Sequence, residues 1–318
     1  MKSGHAELPT PLPDGGPNPL SRAIGLLGDE WTLLLLRHAL AGSTRYSDFN
    51  AQLPISNAVL TNRLDTMVCE SLMERRVYQR NPVRSEYLLT VRGRSTWPLL
   101  VVIWAWERKW VPEHAYATPP MIHQVCGREM SPLYCCTACK EPVTAADLHT
   151  RWGPSGGWSR SVPEVTTRRR SDSRGGGKGP RFFYPDTMAV FGNRWSSAVV
   201  GAAFLGAHRF SDFQSLLGIP PSLLAERLAS LCDRGILEQV EGEVRPAWKA
   251  YRLTGKGLGF FPVVAITVEW AQRWYTSPEG RVLDWTHAAC GAPFIGTLAC
   301  DRCRKPLTGS DIDLSTID

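Results

Sequence analysis

Apolar positions recur at helical spacing through SRAIGLLGDEWTLLLLRHAL (21–40), with one interruption at Gly28. The pattern predicts a short helix before Gly28 and a second after it. The second should end at Gly42, because glycine readily takes the backbone angles that close a helix. In YSDFNAQL, Phe49 and Leu53 stand four apart on one face, which predicts a third, short helix. PIS breaks it, and the Ser56 hydroxyl is a good cap for a fourth helix, SNAVLTNRLDTMVCES, with Val59, Leu60, Leu64 and Met67 as its buried stripe. Two helices joined by so short a turn form a helix-turn-helix. LMERRVYQ, RNPVR and SEYLLT then read as strand, turn and strand, a hairpin in the position of a wing. TVRGRSTWPLLVVIWAWERKW predicts one long aromatic-rich helix. Its apolar surface exceeds what so small a domain covers alone, so it should pack on another repeat or another subunit.

The whole pattern occurs twice. A single gap-free offset of 164 lays residues from about 25 to 148 on residues from about 189 to 312. Gly28 and Trp31 fall on Gly192 and Trp195; Arg45, Asp48 and Phe49 on Arg209, Asp212 and Phe213; Leu60, Arg63 and Leu64 on Leu224, Arg227 and Leu228; Trp106 and Trp110 on Trp270 and Trp274. The chain is therefore expected to be α+β, mainly α: two tandem winged helix-turn-helix domains, each followed by a small zinc-ribbon-like segment. The expected boundaries are a disordered Pro-rich tail over 1–20, the first winged helix over 21–115 and its ribbon over 119–150. A basic Gly/Ser/Arg linker over 151–182, a second winged helix over 183–278 and a second ribbon over 282–318 complete the chain.

The ribbons carry the distinctive chemistry. HQVCGREMSPLYCCTACK and HAACGAPFIGTLACDRCR each spell H-x2-C, nine residues, then C-x2-C, and they hold seven of the nine cysteines. Clustered thiols without a secretion signal read as metal ligands rather than disulfides. Three Cys and one His close a tetrahedron around a structural Zn2+. Within the first ribbon the expected ligands are His123, Cys126, Cys136 and Cys139; within the second, His287, Cys290, Cys300 and Cys303. That makes two structural ions per chain, with no open position for catalysis. Cys135 and His149 are excluded as ligands, because Ala299 and Asp313 stand in their places in the second copy.

Composition narrows the rest. The 318 residues are 43% hydrophobic with 12 Trp, a core-forming composition, and carry a net charge of +6. No apolar run is long enough to span a bilayer, and the tail, with five prolines, lacks the apolar stretch of a signal peptide. A cytoplasmic protein is expected. With no Gly-rich phosphate loop and no nucleophile elbow, the chain does not read as an enzyme.

At LGDEWTLLLLRHALAGSTRYSDFNAQLPISNAVLTNRLDTM…YLLTVRG the chain resembles the HxlR family of bacterial winged-helix transcription regulators. FGNRWSSAVVGAAFLGAHRFSDFQSLLGIPPSLLAERLASL…YRLTGKG resembles a second, more diverged copy. The resemblance implies a dimer that binds double-stranded operator DNA through the helix after the turn and through the wing. Some members sense electrophiles through a Cys before the first helix; Asn18 and Phe182 hold that place here.

Charge distinguishes the copies. The first offers Ser56, Asn57, Thr61, Asn62 and Arg63 on its reading helix and Arg75, Arg76, Arg80 and Arg84 on its wing. Asn and Arg can pair with adenine and guanine edges, and cations with phosphates. The second offers Pro220, Pro221, Ser222, Ala225 and Glu226, with Glu238, Glu241 and Glu243 on its wing. The first copy is thus expected to read DNA and the second mainly to pair, within the chain or in a homodimer. Arg63 and Arg227, kept in both copies, read equally as base readers or structural ion-pair partners. Arg168, Arg169 and Arg170 of the linker either trail along phosphates or are simply solvated. A protein-interaction adaptor built from the same modules is the alternative function. A small-molecule effector between the Trp-rich helices is compatible with the sequence, as is a solid core.

Overall fold

The computed structural model describes residues 8–115, 120–163, 184–241 and 249–312. A short strand β1 (Thr10–Pro11) precedes helix α1 (Pro19–Leu27). Asp29 caps helix α2 (Glu30–Leu40) by accepting from Thr32 N at 2.9 Å, and Gly42 turns the chain with φ at +105°. Helices α3 (Tyr46–Gln52) and α4 (Asn57–Cys69) form the helix-turn-helix. As expected, Ser56 caps α4 and Leu60, Leu64 and Met67 are buried, but Val59, also expected in that stripe, is exposed. Strands β2 (Met73–Arg80) and β3 (Val83–Leu89) pair as the antiparallel wing. The aromatic segment is two helices rather than one, α5 (Val91–Arg94) and α6 (Trp97–Trp110). The break falls before Pro98, whose ring suits a first helical turn. A last turn, α7 (Pro112–Ala115), leads to the first ribbon.

That ribbon contains β4 (Ile122–His123), β5 (Arg128–Glu129), β6 (Pro132–Cys136) and β7 (Leu148–Trp152). A single turn, α8 (Trp158–Ser161), follows. The second repeat runs α9 (Pro185–Val190), α10 (Arg194–Phe204), α11 (Phe210–Leu217), α12 (Pro221–Asp233), β8 (Leu237–Glu241), β9 (Lys249–Leu253), α13 (Gly255–Leu258) and α14 (Phe261–Trp274). Strands β10 (Tyr275–Thr276), β11 (Leu283–His287) and β12 (Gly296–Cys300) complete the described chain.

The repeats pack on each other around a pseudo-two-fold axis. The register of β6 against β12 sets Tyr134 opposite Leu298, its own equivalent in the other copy, with Pro132 opposite Cys300 and Cys136 opposite Gly296 on either side. The pairing of β7 with β11 puts Leu148 opposite His287, and the bridge His123–Ile312 is its symmetry mate. Helix α1 lies along α14, and α6 meets α14. Trp270 and Trp274 of the second copy donate their indole N–H groups to Ser95 Oγ of the first, at 3.0 and 2.8 Å. Trp106 of the first donates to Lys256 O of the second at 3.0 Å and meets Phe260 edge-on. The surplus apolar faces of α6 and α14 thus cover one another inside the chain. A Cβ on Gly28 would stand 2.8 Å from Phe191 O, so the glycine that separates α1 from α2 also lets the copies approach.

One ion pair is inverted between the copies. Arg22 meets Glu70 at 2.7 Å, and at the equivalent positions Asp186 meets Arg234 at 2.5 Å. The contact is kept while its signs are exchanged.

Two sequence expectations need correction. Residues 8–20 are not a disordered tail: Thr10 and Pro11 pair with Tyr275 and Thr276, and Leu12 is buried. Asn18 is fully buried, caps α1 and donates to Ser155 O and Ser161 Oγ, so the family's sensor position has a structural occupant. Apolar contact and a satisfied buried amide hold the segment although its prolines read as flexible. The start of the expected linker, 151–163, is likewise ordered: Trp152 sits in β7 and its ring meets Trp158 edge-on, with centroids 5.1 Å apart. The remainder of that linker, with Arg168, Arg169, Arg170 and Phe182, lies outside the described residues.

Candidate nucleic-acid interface and metal centres

On the reading helix, Ser56, Asn57, Thr61 and Asn62 are exposed. Tyr46 OH donates to Asn57 O at 3.1 Å and fixes the start of α4 against α3. Arg63 is drawn the other way: its guanidinium meets Asp29 at 3.0 Å and is only 21% exposed. Asp29 therefore both caps α2 and pairs with Arg63 of α4. In the second copy Asn193 replaces Asp29, and Arg227 pairs with Glu226 of its own helix at 2.6 Å.

The wing arginines divide similarly. Arg76 faces Glu86 across the hairpin at 2.7 Å. Arg75, Arg80 and Arg84 are exposed and make no ion pair among the described residues. Val77, Tyr78 and Val83 add exposed apolar surface, and Arg45 stacks over the Tyr78 ring at 5.0 Å. On the second wing Glu238 and Glu241 are exposed, whereas Glu243 lies outside the described residues.

The eight predicted metal ligands form two quartets, but not those expected from the spacing. One comprises His123, Cys126, Cys300 and Cys303; the other Cys136, Cys139, His287 and Cys290. Each takes the H-x2-C knuckle of one copy and the C-x2-C knuckle of the other, so the ribbons are exchanged across the pseudo-dyad. The cause is the β6–β12 pairing, which carries each C-x2-C turn past its own repeat to the far side of the axis.

In each quartet the donor atoms lie within 4.8 Å of one another. His123 Nδ1 stands 3.3 Å from Cys126 Sγ and 3.3 Å from Cys303 Sγ, while the Cys126 and Cys300 sulfurs are 4.0 Å apart. In the mate, His287 Nδ1 stands 3.3 Å from Cys290 Sγ and 3.4 Å from Cys139 Sγ. Bonds of about 2.0–2.3 Å to a central ion require tetrahedral donors roughly 3.5–3.8 Å apart, so the spacing fits one ion in each quartet. His123, Cys136 and Cys300 are fully buried and His287 nearly so. All nine cysteines are free thiols. His123 Nε2 is buried without a hydrogen-bond partner among the described residues. The knuckles are built alike: Gly127 and Gly291 turn at φ +67° and +69°, and each donates its N–H to the ligand histidine's carbonyl at 2.8 Å. Cys135, also buried, lies outside both quartets.

Buried polar contacts tie the ribbons to the helices. Tyr134 OH donates to Glu269 Oε2 of α14 at 3.0 Å, and burial raises the Glu269 carboxyl above its ordinary range. No described helix is long and apolar enough to cross a membrane.

Two winged helix-turn-helix units in one chain, joined by Cys/His ribbons, define a duplicated regulator of the helix-turn-helix class. The profile of the HxlR-like helix-turn-helix family matches residues 26–115 and again 190–279, so the chain belongs to that family as a tandem duplication. Its relatives bear the name of HTH-type transcriptional regulators. An uncharacterized HTH-type transcriptional regulator of Mycobacterium tuberculosis, Rv3095, is 34% identical over 135 residues, covering 42% of this chain and 85% of that one. YvaP of Bacillus subtilis, also an uncharacterized HTH-type transcriptional regulator, is 36% identical over 91 residues, 28% of this chain and 84% of that one. The crystal structure of PA1607 aligns with 39% of this chain and 87% of its own, at 31% identity and a TM-score of 0.35.

Proposed function

We propose that this chain is a cytoplasmic, sequence-specific DNA-binding transcriptional regulator in which the first winged helix reads double-stranded operator DNA and the second mainly pairs with it. The observation that carries this reading is the difference between equivalent surfaces. The first copy exposes Asn57, Thr61 and Asn62 beside Arg75, Arg80 and Arg84, none of the three arginines held in an ion pair among the described residues. The second exposes Glu226 in the place of Asn62, Gln239 in the place of Arg75 and Glu241 in the place of Val77, while Glu238 matches Glu74 of the first copy. Acidic side chains repel a phosphate backbone, and unpaired arginines exchange counterions for it. Arg63 supports α4 from behind, and Arg76 reaches phosphate only in competition with Glu86.

Pairing within the chain supplies the dimer-like scaffold that the family resemblance implies, so one polypeptide forms the complete unit without a homodimer. Each exchanged quartet holds one structural Zn2+: His123, Cys126, Cys300 and Cys303 at one site, Cys136, Cys139, His287 and Cys290 at the other. Four protein donors leave no position for a reacting water. Zinc bound this way contributes about 10–16 kcal/mol to the folding of small modules. Because both copies supply ligands, that free energy here stabilises the clasp between the repeats.

The test is binding to fragments of the protein's own promoter, followed by fluorescence anisotropy against salt. A specific fragment should bind more tightly than scrambled DNA, and log affinity should fall linearly with log salt. No salt-dependent binding to any duplex would sink this reading and favour the protein-interaction adaptor.

A further inference from the structure

The second copy contains a cleft at positions where the first copy packs larger side chains. It lies between α1, α8, α10 and α14 and strands β7 and β11. Comparison of equivalent positions shows how it arose. Where the first copy has Leu33, Leu34, Arg37 and Trp104, all buried, the second has Ser197, Ala198, Gly201 and Val268. Four large side chains have become small ones along one wall. The backbone has not closed over the loss: α10 keeps the same 11-residue length as α2. Aromatic rings stand around the space instead, namely Trp152, Trp158, Phe204 and Trp285. Trp158 comes from the segment between the repeats and lies at the wall where Gly201 has no side chain; a Cβ there would meet its ring at 3.2 Å.

Most polar groups at the edge are committed to the protein. Ser197 Oγ donates to Arg194 O at 3.0 Å, Thr267 Oγ1 to Val263 O at 2.7 Å and Ser161 Oγ to Gly157 O at 2.7 Å. Arg194 donates to Pro163 O at 3.1 Å and stacks over Trp195 at 4.7 Å. What remains for a ligand is mostly ring face and aliphatic wall. Concave, mostly apolar sites with few free polar groups suit small apolar molecules, and ring faces favour edge-to-face or offset aromatic partners.

We propose that this cleft binds a small, flat, uncharged aromatic molecule. Its occupant would touch Leu20 and Ile24 of the first copy and α10 and α14 of the second, and so bridge the two repeats. Use of the cleft as an effector site rests on the DNA-binding reading above; binding itself does not, and is measured without DNA so that the two fail separately. Isothermal titration calorimetry of the full chain with 2-naphthol should show saturable binding at one site. Ser197→Leu, which restores the first copy's residue, should weaken it about tenfold or more while leaving the thermal midpoint unchanged or raised. Ser197→Ala should bind like the wild type. Should Ser197→Leu fail to fold, Val264→Phe fills the same space from α14 and must give the same loss. Absence of saturable binding to the wild type, which a cleft already filled by the protein's own chain would also produce, overturns the proposal. Undiminished binding to a folded Ser197→Leu or Val264→Phe variant does so equally.

Discussion

His123 Nδ1 lies 3.3 Å from Cys303 Sγ, a residue 180 positions further along the chain, as close as it lies to its near neighbour Cys126. The relation makes each quartet a cross-link between the repeats, and it separates two assignments that give identical single-mutant results. In either assignment two zinc ions bind per chain and Cys126→Ser removes one. Pairs differ. With exchanged ribbons, Cys126→Ser combined with Cys303→Ser should still leave one ion, whereas Cys126→Ser combined with Cys136→Ser should leave none. Ribbons closed within each repeat would reverse these outcomes. Elemental analysis of chelator-free protein decides between them, and the exchanged reading fails if the Cys126/Cys136 double variant keeps a full ion.

This exchange was not legible in the sequence, for a physical reason. After a gap-free duplication Cys136 and Cys300 are equivalent, and spacing along the chain is the same whether a C-x2-C knuckle meets its own H-x2-C or the other copy's. Only the pairing of β6 with β12 distinguishes the two. The helices and the wing were legible because their signals are local: the Phe49–Leu53 spacing, the Ser56 cap, the polar turn at the hairpin. Where local signals pointed to disorder they misled. Five prolines before Leu20 masked the anchors Leu12 and Asn18, and the glycines of 153–157 masked Trp152 and Trp158, whose partners lie in the ribbon and the cleft. Arg63 illustrates the middle case. Its presence in both copies left two roles open, and only Asp29 at 3.0 Å separates them.

Gly93 and Gly257 occupy equivalent positions after the two wings, where a Cβ would overlap the carbonyl oxygens of Leu72 and Ile236 respectively. Neither glycine has a positive φ, so the constraint is approach rather than conformation. Gly93→Ala and Gly257→Ala should each destabilise the chain by about 1–3 kcal/mol, the range for overpacking a close contact. Denaturant unfolding checks this; a loss below a few tenths of a kcal/mol would mean that the backbone yields easily.

Asp48 accepts from Arg45 N at 2.9 Å and Thr44 N at 3.2 Å, and the Arg45 N–H above all holds its carboxyl below the ordinary Asp value of 3.8. A depressed carboxylate pKa contributes stability that is full above the unfolded value and lost as pH falls through the folded one. Asp48→Asn should therefore cost about 0.5–2 kcal/mol near neutral pH, as for other caps. The difference from wild type should shrink below about pH 4, where the wild-type carboxyl takes up its proton. Acid unfolding of the two proteins measures it, and a gap that stays constant down to pH 2 would contradict the assignment.

The division of labour between the copies is tested last, on DNA. Arg75, Arg80 and Arg84 are proposed to touch phosphates, which fix position without reading sequence. Replacing all three by Ala should weaken binding to specific and scrambled duplexes alike, and flatten the log–log salt slope by about 0.9 for each phosphate no longer neutralised. Arg76→Ala should do less, because Glu86 already neutralises it at 2.7 Å. Asn57→Ala and Asn62→Ala should instead relax preference among sequences, by about 1–3 kcal/mol per base pairing. Arg63→Ala should lower stability by an amount between the ~1 kcal/mol of an exposed pair and the ~3 kcal/mol of a buried one. Its effect should not add to that of Asp29→Ala, and base preference should be unchanged. On the second wing, Glu238→Gln with Glu241→Gln should leave affinity nearly unchanged. A large gain would put that wing beside phosphates already, and equal losses from matched changes in both copies would mean that each reads a half-site.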